Sequence, residues 1–175
     1  MIEGRHSAPD NGKQGSFRDK RSASRLAALQ ALYQLEIAGT QVEDVIEEFL
    51  AHRFGKNDDT GIGLEQDEAF FSAVVRGVLQ HQTEIDRSLA GALSEGWTLA
   101  RIDSILRALL RAAAFELSGR LDVPARVVID EYVELARDFF EGPEPGFVNA
   151  VLDRLAREAR PNEFGAGSSH DKPGF

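Results

Sequence analysis

Apolar residues recur along this chain at spacings of three and four, the period of a helix that turns one face inward. The segment "SASRLAALQALYQLEIA", Ser22 to Ala38, puts Leu26, Leu29, Tyr33 and Ile37 on one stripe and Ala28, Leu32 and Leu35 on another. Two stripes predict a central helix buried on two sides, and Gly39 ends it. "TQVE" at Thr40–Glu43 has the form of a capping box and opens a second helix running to about His52. Arg53 to Gly63 is polar and glycine-broken, so it reads as a loop.

The same period continues to the C-terminus. A third helix is predicted from Glu65 to about Gln80, with Phe71, Val74, Val75 and Val78 on its inner face. "TEID" at Thr83–Asp86 caps a short fourth helix ending near Gly96. Thr98 to Ser118 forms the most apolar segment, closed by Gly119. The next helix starts at Val123 or Pro124 and buries Val128, Tyr132, Leu135 and Phe139; proline suits a first turn. The last runs from about Gly146 to Ala159, and Pro161 to Phe175 reads as disordered. No alternating strand pattern and no repeat of fixed period occurs, so the fold class is all-α, a bundle of seven helices.

Composition changes this picture little. The chain has 175 residues, enough for one domain with a full core. No apolar run approaches the roughly 18 residues that span a bilayer, and the N-terminus has no signal-peptide core. The absence of cysteine fits a reducing, cytoplasmic setting. "IEGR" at Ile2–Arg5 matches a protease-tag recognition sequence and carries no weight in the fold.

Charge changes it more. Residues 1–25 hold six basic and three acidic side chains, a net of +3 against −9 for the whole chain, so the rest carries −12. A flexible basic arm over residues 1–19 would suit a polyanion, and the acidic body a basic protein; the alternative is a merely solvated tail.

Candidate chemistry is sparse. His6, His52, His81 and His170 have no metal-ligand spacing, and no nucleophile elbow, P-loop or dinucleotide fingerprint occurs. The sequence predicts neither an enzyme nor a cofactor. Glu131 and Glu134 lie i,i+3, but the carboxylate-bridged metal sites of helical bundles also need Glu-x-x-His, which is missing. The better reading is ion pairing to arginines of a neighbouring helix. Arg111, set among leucines and alanines, predicts a buried ion pair, with Glu131 as its partner.

Three separated stretches resemble the NusB family of transcription antitermination factors: "RSASRLAALQALYQLE", "WTLARIDSILRALLRAAAFEL" and "DVPARVVIDEYVELARDFFEGPEPGFVNAVLDRLA". They occur in the family's order and cover about Lys20 to Ala159. The resemblance implies two packed helical subdomains within residues 20–160. It also implies binding to the single-stranded boxA element of a nascent ribosomal RNA leader. The implied protein partner is NusE, a small-subunit ribosomal protein, within an RNA polymerase antitermination complex. The family's basic residues map onto Arg21 and Arg25, with Arg18 and Lys20 just upstream, and its "FVN" onto Phe147–Asn149. Tyr33 matches the family tyrosine that lies toward the protein partner. Gly146 stands where the family has a basic residue, which shifts phosphate contacts toward the arm.

On a helical wheel Phe147 and Asn149 border the buried face of the last helix from opposite sides. Phe147 is expected to stack on a base or to staple the preceding loop; Asn149 is expected to hydrogen-bond backbone at a helix seam. Two alternatives stay open: a helical protein–protein interaction module without RNA binding, and a detached front end of a ribosomal RNA methyltransferase.

Overall fold

The computed structural model describes residues 12–52, 54 and 67–165, with side chains from Lys20 onward. Among the described residues there are seven α-helices, two short 3-10 turns and no strand. They are α1 (Gly12–Ala38), α2 (Val42–His52), α3 (Glu68–Gln80), α4 (Gln82–Ala92), α5 (Ser104–Gly119), α6 (Ala125–Phe139) and α7 (Glu144–Ala159). No helix is long and apolar enough to cross a membrane.

Helix α1 packs with α2 and α3, helices α4 to α7 pack together, and α5 touches both groups. The apolar stripes meet along these contacts. Phe70, Phe71, Val74 and Val75 of α3, Leu109 and Leu110 of α5, and Leu152 of α7 are all essentially buried. Phe71 also stacks on Phe49 at a ring distance of 5.6 Å and meets the tilted ring of Phe54 at 4.8 Å. Where α3 crosses α5, the Phe115 ring lies on Gly77, and a Cβ added there would sit 2.1 Å from it.

Several expectations are corrected. Helix α1 starts at Gly12 rather than Ser22, because extending a formed helix through Lys, Gln and Arg needs no new nucleus. Helix α1 is not buried on two sides: Tyr33 is 39% and Ile37 63% exposed, so one broad face does the packing. The predicted capping box at Thr40 is not formed, since the Glu43 carboxylate takes Arg76 of α3 at 2.6 and 2.9 Å. Helix α5 begins at Ser104, where Asp103 accepts from the N–H groups of Ile105 and Leu106.

The C-terminal prediction changes too. Pro161–Phe164 forms a 3-10 turn, and its Phe164 ring lies under Arg126 and Arg157 at 5.2 and 5.0 Å. The buried Arg160 explains that order. It donates to the carbonyls of Glu116, Leu117, Arg120 and Val123, which gather at the C-terminal end of α5. A guanidinium there gives the Leu117 and Val123 carbonyls a donor, adds a second to those of Glu116 and Arg120, which already accept from the Arg120 and Val123 N–H groups, and complements the helix dipole. The predicted disorder of residues 166–175 lies outside the described residues.

Candidate nucleic-acid interface

The first half of α1 lies against the start of α3, the end of α5 and the middle of α6. Ser24 joins the first two: its hydroxyl accepts from the Asp67 N–H at 2.8 Å, while the Asp67 carboxylate caps α3 through the Phe70 N–H. Three guanidinium groups, of Arg21, Arg25 and Arg120, surround the Phe70 ring at 5.0 to 5.2 Å.

These cations are not equally available to a ligand. Arg25 is 3% exposed and binds the fully buried Glu116 through Nε and Nη2 at 2.9 and 2.8 Å. Glu131 stands 3.5 Å from its third nitrogen and accepts from Ser22 at 2.6 Å. Burial pulls the Arg25 guanidinium down, but the hydrogen bonds and charge of Glu116, with Tyr132 and Glu131, more than offset it and hold it above its ordinary value. The buried Tyr132 hydroxyl is pushed well up, first by its burial and then by the Glu116 charge. Arg25 is thus a core ion-pair cation, which corrects its reading as a surface phosphate contact.

Arg21 sits at the rim. Its side chain is 21% exposed and stands 3.7 Å from Asp67 and 3.6 Å from Asp122. Asp122 is also held by Arg120 at 3.1 Å, and that hydrogen bond keeps its carboxyl below the usual range. Lys20 is half-buried one residue earlier. The side chain of Arg18 lies outside the described residues, though its backbone belongs to α1.

The predicted Arg111–Glu131 pair does not form. Arg111 of α5 faces α4 instead and binds Asp86 at 2.8 and 2.9 Å, with Glu36 of α1 at 3.6 Å. Helix α5 turns Glu116 toward Arg25 of α1, and Arg111 toward Asp86 of α4.

Phe147 and Asn149 flank the buried face of α7 as the wheel predicts, but their environments differ from expectation. Phe147 is half-buried against the core, with the Trp97 ring 6.0 Å away and inclined at 48°. Asn149 is exposed and makes no hydrogen bond to the described residues. It opens onto a cleft of about 460 Å³ between α6 and α7, with Asp130, Glu134, Arg137 and Gly146. Asn149 therefore holds no helix seam; its amide faces the open cleft rather than a backbone partner. No contact joins Phe147 to the Arg21 cluster, so the predicted site residues form two patches.

Tyr33 lies elsewhere again. It is exposed beside Ile37, next to the acidic helix α2, whose Glu48 accepts from Gln34. Sequence reasoning missed Glu116, Arg160 and Trp97. Glu116 left a signal, a carboxylate one helical turn beyond Ala112 and Ala113 on the face predicted to be buried, and Trp97 opens one of the family-like stretches without a role being read for it.

The family model described as "NusB family" matches residues 22–157. The chain belongs to the NusB family. A relative in Maricaulis maris (strain MCS10), named transcription antitermination protein NusB, is 52% identical over 144 residues, covering 82% of this chain and 90% of its own. Among solved NusB structures, that of T. maritima superposes with a TM-score of 0.68 at 32% identity, over 82% of this chain and 96% of that one. A chain from a crystal structure of antitermination factors NusB and NusE in complex with dsRNA gives 0.63 at 23% identity, over 78% and 96%, a likeness of fold alone. The NusB match begins at Ser22, so Arg18, Lys20 and Arg21 precede it while Phe147 and Asn149 fall inside.

Proposed function

We propose that the protein is a transcription antitermination factor. It binds the boxA element of nascent ribosomal RNA leaders together with NusE and helps RNA polymerase read through terminators. It acts in the cytoplasm and has no catalytic step of its own. The observation that carries this reading is the extent of the match: 52% identity to a transcription antitermination protein across 90% of that protein's length.

The surface supports a division of labour. Lys20 and Arg21, with Arg18 earlier on α1, offer cations to phosphates without reading sequence. Phe147 offers a ring for stacking, and the exposed Asn149 amide has both donors and an acceptor for base edges. Tyr33 and Ile37 are exposed on α1, which meets the acidic helix α2 through Gln34 and Glu48, an apolar strip near acid suited to a basic ribosomal protein. Arg21 and Arg25 already face carboxylates, and that favours one competing reading, a protein-binding module that takes NusE but no RNA.

Fluorescence anisotropy of labelled boxA RNA, titrated with the protein at several salt concentrations with and without NusE, separates the two. The expected result is binding that tightens with NusE, with log K falling against log salt at a slope of about −3 for four neutralised phosphates. Removal of residues 1–19 is expected to make that slope shallower. Capture of NusE with no RNA binding under any condition would leave only the protein-binding module.

A further inference from the structure

Trp97 is the sole tryptophan of the chain, and 53% of its surface faces solvent. It is nevertheless held in place. Gly96 turns the backbone at φ +87°, and the Trp97 N–H donates to Ser94 at 3.1 Å. Three arginines then tie down the segment between α4 and α5. Arg154 donates to the Ala92 carbonyl at 3.2 Å, Arg101 to Gly96 at 3.1 Å, and Arg107 to Leu99 and Ile102 at 2.9 Å. The indole lies 6.0 Å from the Phe147 ring, inclined at 48°, and about half of its surface meets water.

We propose that Trp97 is a second base-stacking surface of the RNA site, continuous with Phe147 and edged by Arg101 and Arg154. The proposal rests on the RNA-binding reading above. A large indole kept in water by a tied loop gives the fold little apolar burial, yet it offers a π-face whose ordering is already complete before a ligand arrives. Arg101 and Arg154 are exposed, and each spends only Nη1 on the loop carbonyls, so their other N–H groups face solvent. Aromatic faces beside guanidinium groups are what a single strand needs: stacking for the bases, charge for the phosphates. Glu95 and the α5 cap Asp103 are the acids of this segment, and they oppose phosphate where Arg101 and Arg154 attract it. Two adjacent rings also extend the α7 site to a second nucleotide, which Phe147 alone could not hold.

The single tryptophan provides the readout without any substitution. Single-stranded boxA RNA added to the full chain, with NusE present, should quench Trp97 emission in step with binding. Trp97→Leu should weaken RNA binding by about 5- to 150-fold, the equivalent of one lost stack, while Trp97→Phe retains most of the affinity. Arg101→Gln should make the salt slope shallower by about 0.7. Circular dichroism of each variant establishes that it is folded. If RNA binds but leaves the emission unchanged, and Trp97→Leu binds like the parent, this proposal fails while the RNA reading stands. Quenching by NusE alone, with no further change on adding RNA, would assign Trp97 to the protein partner and overturn it. If the parent protein binds no RNA at all, both readings fall together.

Discussion

Replacing Arg25 with alanine tests whether the most basic helix start in the chain serves the fold or the ligand. The substitution removes two short hydrogen bonds, of 2.8 and 2.9 Å, to a glutamate that is 0% exposed. Among the described residues Glu116 then has no other cation within ion-pair distance, and Glu131 loses its 3.5 Å neighbour. Breaking a buried pair on one side costs about 3–5 kcal/mol, because the stranded charge has left water without compensation. Against a total stability of about 5–15 kcal/mol this is a large share. In a domain of this size each kcal/mol moves the melting temperature by about 2–4 °C, so a drop of roughly 6–20 °C is expected. Removing both charges at once, as Arg25→Met with Glu116→Leu, should recover most of the loss. Urea titrations of the parent, both single variants and the double variant give the coupling directly. RNA affinity, measured well below the variant's melting point, should stay near that of the parent. Arg25→Ala with stability within about 1 kcal/mol of the parent and a lost RNA signal would refute the reasoning and return Arg25 to the surface site.

Other outcomes follow from the same geometry. Asn149→Ala should change stability by less than about 0.5 kcal/mol, since it is exposed and unbonded, yet weaken boxA binding in anisotropy titrations. Phe147→Ala should cost about 1–2 kcal/mol in urea titrations, less than a fully buried phenylalanine, and weaken RNA binding as well. Arg160→Met should lower stability by about 3 kcal/mol, because the Leu117 and Val123 carbonyls lose their donor and those of Glu116 and Arg120 lose one of two. Glu163 is held below its ordinary 4.5 by the Ala125 N–H, with burial opposing and Arg160 assisting. Its contribution is therefore present above that value and lost as pH falls through the lower folded one. Melting curves from about pH 5 to about pH 3 should show a steeper acid loss for the parent than for Glu163→Gln.

The helices were legible because burial on one face imposes a period on the sequence, and Phe71, Val74, Val75 and Val78 lie inside as that period requires. Partner choice was not legible. Arg111 and Glu131 are each placed on the correct helix, but only the rotation of α5 decides that Arg111 meets Asp86 and Arg25 meets Glu116. Arg25 was read with its basic neighbours as surface. Yet it stands three residues before Ala28 and four before Leu29, on the buried stripe, and that position outweighs the run of charge. Asn149 failed for a different reason: a wheel gives direction from one helix but not what stands opposite. Trp97 left no periodic signal, because its place is set by a turn and by arginines both near (Arg101, Arg107) and far (Arg154) in sequence.

The contact between Phe115 and Gly77 also restricts the order in which this protein can change. Alanine at 77 would collide with the ring, whereas a smaller side chain at 115 would first leave a gap and then give that alanine room. The two substitutions made together are thus expected to be milder than the alanine alone. A lineage could reach the double variant through residue 115 but not through residue 77. Because the ring joins α3 to α5, any lineage that takes this route also resets the spacing between the two groups of helices. A local exchange of volume thereby becomes a change in how far the α1 patch stands from the α7 patch.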